Sequence, residues 1–322
     1  MNVAEALLKY LNDPGSGVKT KGSKANYASE IHKLPQDRKV DSFKESELIE
    51  AAYTPLVKGP RKGQAPSDGT VYARRKCYEG FFSYCQWKGW LKDDPALHLK
   101  RRLGGRGQPI IENNWLTREE VAVVLDTVNM DEQSERRDDL VLRLGFTAGL
   151  RAAELGSLRW RDVNFDRREI SLVGKGHKIA VISISQNTAV RLVDWQSECA
   201  AAISARPGDH AVLPPFQNRA AGIDPETGSW LPKRIKFADW PNSGIVPASI
   251  SRVCQKYSGR SGIVFRPHDM RRTFCGLLKE NGLDIYQVSK AMRHSDVSTT
   301  ERYLQTRPDA AAQAVREAGL DF

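Results

Sequence analysis

Apolar residues recur at three- and four-residue spacing through much of this chain, so the sequence predicts a mainly helical protein. From Tyr72 to Trp90 the apolar positions are largely aromatic: Tyr72, Tyr78, Phe81, Phe82, Tyr84, Trp87 and Trp90. Tyr78, Phe81, Phe82 and Cys85 sit at helical spacing. Most of this stripe should therefore be core rather than a platform for stacking bases. Arg74 and Arg75 would project from the same helix towards phosphates, and Pro95 would end the element. A further helix is marked by Thr117-Arg118-Glu119-Glu120, a capping box that leads into Val121, Val124, Leu125 and Val128.

Two short runs read differently. Glu169 to Val173 and Ile179 to Ile184 have strand character, and Gly174-Lys175-Gly176-His177-Lys178 between them predicts a hairpin turn. Leu103-Gly-Gly-Arg-Gly-Gln-Pro109 is basic and rich in glycine, as linkers are. The expected division is a helical domain over 1–103, a linker over 104–115 and a second domain over 116–322. Within the latter, 205–247 holds seven prolines and no clear period, which predicts a long irregular insertion outside the core. Helical pattern resumes near Ala248.

Composition narrows the function classes. The chain has 322 residues, 40% hydrophobic and 27% charged, as soluble globular proteins do. No apolar run reaches the roughly 20 residues needed to cross a bilayer. Met1 to Tyr10 lacks the basic start and cleavage site of a secretory signal, so a cytoplasmic protein is expected. Five cysteines without a CxxC pair argue against a disulfide framework and a zinc site. The net charge of +10 points to a polyanionic partner, because neutralised phosphates release counterions. Residues 1–110 hold 20 Lys/Arg against 12 Asp/Glu. Arg74, Arg75, Lys76, Lys100, Arg101 and Arg102 are the clusters there expected to bind DNA.

Four local groups could carry chemistry. In Gly149-Leu-Arg151-Ala-Ala-Glu154-Leu, Arg151 and Glu154 share a helix face, so the carboxylate could aim the guanidinium. Lys175 stands at the tip of the hairpin between two glycines that permit close approach, with Lys178 as the competing candidate. His268-Asp-Met-Arg271-Arg272-Thr-Phe274 again places two functional side chains three apart. His294-Ser-Asp-Val-Ser298-Thr-Thr-Glu301-Arg302-Tyr303 carries a Ser298/Glu301 capping box, predicting a short helix from about Thr299 that bears Tyr303. Taken singly, each has an ordinary reading: an ion pair, a solvated lysine, a chance His/Arg match, a packed tyrosine.

In this order, Arg, Lys, His-x-x-Arg, His, Tyr, the set resembles the catalytic set of the tyrosine recombinases of the phage-integrase type, over roughly 117–305. Two positions depart from the family pattern: Arg293 stands where glycine is usual, and Arg272 where histidine is frequent. The N-terminal region resembles the family's core-binding domain more loosely, through the aromatic helix and Asp94-Pro95-Ala96.

The resemblance implies a two-domain clamp on DNA: a helical core-binding domain, and an α-rich catalytic domain with a small β-hairpin or sheet. It implies that Tyr303 is the nucleophile and that Arg151 and Arg271 clamp the phosphate. By the same resemblance Lys175 protonates the leaving 5′-oxygen, His268 assists the tyrosine proton, and His294 donates to a non-bridging oxygen. Glu154 would support Arg151. A site-specific recombinase or integrase acting through a 3′-phosphotyrosine link is expected. The alternatives are a type IB topoisomerase-like enzyme and a non-catalytic DNA-binding regulator. Expected partners are double-stranded DNA with recombination sites, three further copies in a homotetramer, and a directionality factor. Little chain precedes the core-binding region, so no separate arm-binding domain is expected. Pro308 to Phe322 would dock on a neighbouring protomer. No phosphate-binding loop or carboxylate cluster is present, so no metal, nucleotide or other cofactor is expected.

Overall fold

The computed structural model describes residues 1–57, 61–104, 115–173, 179–200, 207–216, 244–294 and 296–304. The chain divides into two compact units, Met1–Pro109 and Ile110–Phe322. The expected linker lies mostly outside the described residues, as do Lys175, Lys178 and the segment from Pro308 to Phe322.

The first unit is helical: α1 (Val3–Asn12), α2 (Lys21–Ile31), α3 (Glu45–Tyr53), α4 (Asp68–Trp87) and α5 (Leu99–Leu103). The aromatic stripe is core, with Tyr78, Phe81 and Phe82 fully buried. Tyr10 of α1 meets Phe81 and Tyr84 at ring-centroid distances of 5.7 and 5.0 Å. Burying rings of this size contributes about 1.5–3 kcal/mol each. α4 stops well before Pro95. Lys88 caps it and Gly89 follows at φ +71°, a left-handed turn that glycine adopts without penalty.

Arg74 and Arg75 do not project towards a ligand. Their relative exposures are 1% and 2%. Arg74 donates to the carbonyls of Ala52 and Thr54 at 2.9 and 2.5 Å, and its Nε lies 3.4 Å from Glu30. Arg75 donates to the Gly104 carbonyl at 2.8 Å, pairs with Glu79 and covers the Tyr72 ring. These guanidiniums are directed to backbone carbonyls of their own unit, which a charged head buried in protein requires. Lys76, Lys100, Arg101 and Arg102 are exposed, Lys76 beside Glu79 and Arg102 near Glu45.

The second unit contains α6 (Arg118–Asp126), α7 (Gln133–Ala148), α8 (Ala152–Ser157), β1 (Val163–Asn164), β2 (Glu169–Val173), β3 (Ile179–Ser183), α9 (Gln186–Cys199), α10 (Pro247–Ser261), α11 (Pro267–Glu280), α12 (Ile285–Met292) and α13 (Val297–Leu304). The Thr117/Glu120 capping box opens α6 as expected. The strands form one antiparallel sheet, β1-β2-β3. Val173 pairs with Ile179, and Ile170, Leu172 and Ile182 turn into the core. The two-residue β1 is an addition to the expected hairpin.

The 205–247 insertion is partly core, against expectation. Ala211, Val212 and Leu213 have no exposed surface, and Phe216 and Ile245 are also buried. The physical reason is backbone pairing with the chain after α8. Trp160 N–H donates to the His210 carbonyl at 3.1 Å and Val212 N–H to that of Leu158 at 2.9 Å. Trp195 Nε1 closes on the Val212 carbonyl at 2.8 Å. With its polar backbone satisfied, an irregular segment can be buried. Residues 217–243 lie outside the described residues.

α7 and α11 form the frame of the site. They lie close at Gly145, where a Cβ would fall 2.7 Å from Met270 Sδ. Thr273 on α11 accepts a 3.0 Å hydrogen bond from the Leu116 backbone. Opposite, Glu135 binds Arg260 at 2.6 and 2.9 Å and Lys256 at 2.8 Å, tying α7 to α10. The five cysteines are buried free thiols. Among the described residues no helix is long and apolar enough to cross a membrane.

Candidate active site

Arg151 ends the turn that follows α7. Gly149 terminates that helix at φ +62°, and Arg151 is the N-cap of α8. Glu154 accepts from both the Arg151 backbone N–H, at 2.8 Å, and its Nη1, at 2.7 Å. The carboxylate therefore orients the guanidinium, as its spacing predicts. The Arg151 side chain is 46% exposed, leaving its outer face open.

Arg271 is 1% exposed on α11. Its Nη1 donates to the Gly149 carbonyl and its Nη2 to that of Met292. These two carbonyls belong to the C-terminal ends of α7 and α12, where unsatisfied oxygens collect. One guanidinium thus joins three elements. Burial, reinforced by the Arg151 and Arg293 charges, pushes its pKa down to about 10, still far above neutrality.

Tyr303 on α13 meets His268 on α11. The Oη–Nε2 distance is 2.9 Å. The His294 ring lies 5.2 Å from the Tyr303 ring and Arg272 lies over its face at 5.9 Å. α13 begins at Val297, two residues before the predicted start. Asp296 accepts from the Ser298 N–H at 2.9 Å, so an aspartate does the work assigned to Ser298. His294 Nδ1 lies 2.8 Å from the hydroxyl of fully buried Thr300.

Electrostatics set the resting protonation. Burial raises the Tyr303 phenol above its ordinary value, although the Arg271, Arg272 and Arg151 charges oppose this. The phenol is therefore protonated at rest. Desolvation by surrounding protein, then the Arg272 charge, lowers His268, whose ring nevertheless reaches solvent. Burial and three arginines push His294 down to about 4. Both imidazoles are neutral at pH 7, so His268 Nε2 can accept the phenol proton. If His268 is that acceptor, cleavage should fall only below about pH 6.5, the ordinary histidine value. The second-order rate with DNA, measured from pH 5 to 8, reads the free protein. A midpoint above pH 7 would exclude a neutral His268 as the acceptor.

The structure thus brings Arg151, Glu154, His268, Arg271, His294 and Tyr303 into one site. Two contributors had no place in the sequence reading: the Gly149 carbonyl and the Met292 carbonyl. Thr300 belongs to the segment that resembles the family's final box, and the structure adds its contact with His294. The carbonyls carry no side-chain signal.

The phage integrase family model matches residues 114–309, a span that holds all of these side chains. The chain belongs to the phage integrase family. Within the family, tyrosine recombinase XerC of Haemophilus ducreyi is 28% identical over 225 residues, covering 69% of this chain. This chain spans 64% of that relative's length. Tyrosine recombinase XerA of Thermococcus onnurineus is 29% identical over 241 residues, 74% of this chain and 72% of the relative. Among solved structures, XerH site-specific recombinase bound to palindromic difH substrate matches with a TM-score of 0.67 at 16% identity. That match covers 98% of this chain and 95% of XerH. A lambda integrase dimer bound to a COC′ core site matches at 0.63 and 13% identity, over 96% and 97% of the two chains. These likenesses establish the integrase fold: mostly helical, with a small three-stranded antiparallel sheet.

Proposed function

We propose that this chain is a site-specific DNA recombinase that cuts and rejoins DNA through a 3′-phosphotyrosine link. The observation that carries the reading is Tyr303 Oη, 2.9 Å from a neutral histidine acceptor in a site walled by the Arg151 and Arg271 guanidiniums. A phenol with pKa near 10 is only about 0.1% ionised at pH 7, a cost of about 4 kcal/mol. His268 removes that obstacle by taking the proton as Oη attacks phosphorus. Guanidinium forks match the non-bridging oxygens, and donors fixed beforehand contribute most when charge develops. With the Thr300 hydroxyl donating to His294 Nδ1, Nε2 carries the proton and donates to the same phosphate. The P–O5′ bond breaks, and the departing oxygen takes a proton from Lys175. The new P–O bond to Tyr303 retains the energy of the broken one, so a 5′-hydroxyl can reverse the step without ATP.

On this reading the N-terminal unit is the core-binding domain and 116–322 the catalytic domain, together clamping duplex DNA. Lys76, Lys100, Arg101 and Arg102 remain its candidate phosphate contacts. Four copies are needed to exchange strands between two duplexes, and a directionality factor would bias the product.

The test uses DNA flanking the chain's own gene, where recombination sites of a mobile element would lie. Detergent-resistant protein–DNA adducts and joint molecules between two fragments are expected. Relaxation of supercoils without joint molecules points to a topoisomerase instead, and binding without adducts to a regulator.

Lys175 has a sharper test. A 5′-bridging phosphorothiolate gives a leaving group that needs little protonation. It should restore cleavage to Lys175→Ala, and Lys178→Ala should cleave ordinary DNA normally. Rescue of Lys178→Ala alone would exchange the two roles.

A further inference from the structure

Arg293 is built into the site at a conformational cost. It caps α12 at φ +55°, in the left-handed region where glycine is the usual residue. Only one other non-glycine residue among the described residues, Arg168, has positive φ. A side chain held there needs compensating interactions. Those of Arg293 lead to Glu154. Its Nη2 donates to Glu154 Oε2 at 2.9 Å and approaches the Gly149 carbonyl at 3.4 Å. The side chain is only 11% exposed, and its Nε and Nη1 are buried with no hydrogen-bond partner. Local stability does not account for this: a glycine would relieve the backbone and remove two unsatisfied donors.

Glu154 is shared. Oε1 takes Arg151 Nη1, while Oε2 takes both the Arg151 backbone N–H and Arg293 Nη2. Arg151 already holds both oxygens, through Nη1 and its backbone N–H, and Arg293 adds a second, charged donor to Oε2. That extra bond stiffens the carboxylate plane against rotation about its last torsion, and with it the direction in which Arg151 points. Burial disfavours the charged carboxylate, but the Arg151 N–H and the Arg293 charge outweigh it and keep Glu154 ionised.

We infer that Arg293 is a positioning residue: it acts through Glu154 to hold the Arg151 guanidinium in its phosphate-binding orientation. This rests on the reading of Arg151 as a phosphate clamp. The substitutions Arg293→Gly and Arg293→Lys test it on a nicked suicide substrate that traps the covalent adduct. Arg293→Gly should slow adduct formation about tenfold, within the usual range for coupling through a shared network. Its thermal midpoint should be unchanged or higher, since the strained φ is relieved. Arg293→Lys, which keeps a charge beside Glu154, should recover part of the rate. In an Arg151→Lys background the further loss from Arg293→Gly should nearly vanish. A methylphosphonate at the cleaved position, which removes the non-bridging charge, should shrink it too.

Loss of the same factor in the Arg151→Lys background would mean that Arg293 acts independently of Arg151, and would overturn the proposal. Wild-type rates in Arg293→Gly, or a loss matched by a fall in thermal midpoint, would overturn it also. Failure of the wild-type chain to form any adduct would instead remove the recombinase reading itself.

Discussion

Tyr303→Phe will bind DNA with undiminished affinity and form no covalent adduct on a nicked suicide substrate. The hydroxyl is the only part of the side chain removed, and it is the group placed 2.9 Å from His268. The ring's other contacts remain. Tyr303 packs with Leu304, Phe274, Leu278 and Leu283 around buried Cys275, Val288 and Met292. Losing one partly exposed hydrogen bond costs about 0.5–1.5 kcal/mol. In a unit of this size that shifts the melting midpoint by a few degrees, about 2–4 °C per kcal/mol. Binding and folding therefore act as internal controls. An adduct that survives in this variant would mean that another nucleophile is at work, and the assignment of Tyr303 would fall.

Three of the four candidate groups, those that meet in the site, were legible because each is local. Arg151 and Glu154 are the N-cap and third residue of α8, and His268 and Arg271 lie three apart within α11, so one helix start and one helical turn place the two pairs. His294 and Tyr303 needed only a short capped helix between them. What joins the groups was not legible. The Arg271 guanidinium reaches carbonyls at Gly149 and Met292, and a backbone oxygen leaves no mark on a sequence pattern. Arg293 was visible only as a departure from glycine; its reach to Glu154 depends on how α12 ends. Arg74 and Arg75 failed for a related reason. A charge on a helix suggests solvent or phosphate, yet here the partners are the Ala52, Thr54 and Gly104 carbonyls, set by tertiary packing. The buried part of the insertion misled in the opposite sense. Pro214 and Pro215 suppress any regular period, but His210 to Val212 pair with Leu158 to Trp160, Leu213 pairs with Ile245, and Ala211 to Leu213 enter the core.

Arg271 is where stability and chemistry are least separable, so two substitutions at this position should give different profiles. Arg271→Ala leaves the Gly149 and Met292 carbonyls without their donor and opens a cavity in a buried site. Breaking a buried charged network in this way costs about 3–5 kcal/mol. The denaturation midpoint should drop sharply, and adduct formation should disappear with it. Arg271→Lys keeps the charge and most of the volume, and its ammonium can satisfy one carbonyl at a time. The fold should survive with a smaller loss. A guanidinium has five N–H donors. Two serve the carbonyls and Nε is buried without a partner, so on the clamp reading the remaining Nη hydrogens, beside Tyr303, bind the phosphate. An ammonium held by a carbonyl cannot also make a bidentate clamp. Removing one preorganised donor from developing charge slows catalysis by about 10²–10³-fold. Adduct formation by folded Arg271→Lys should fall by that factor, measured under conditions where denaturation curves show the variant fully native. A folded Arg271→Lys that cleaves within a few-fold of wild type would show that Arg271 is only a structural tie between α7, α11 and α12. The phosphate would then have to be held by Arg151 and its neighbours alone.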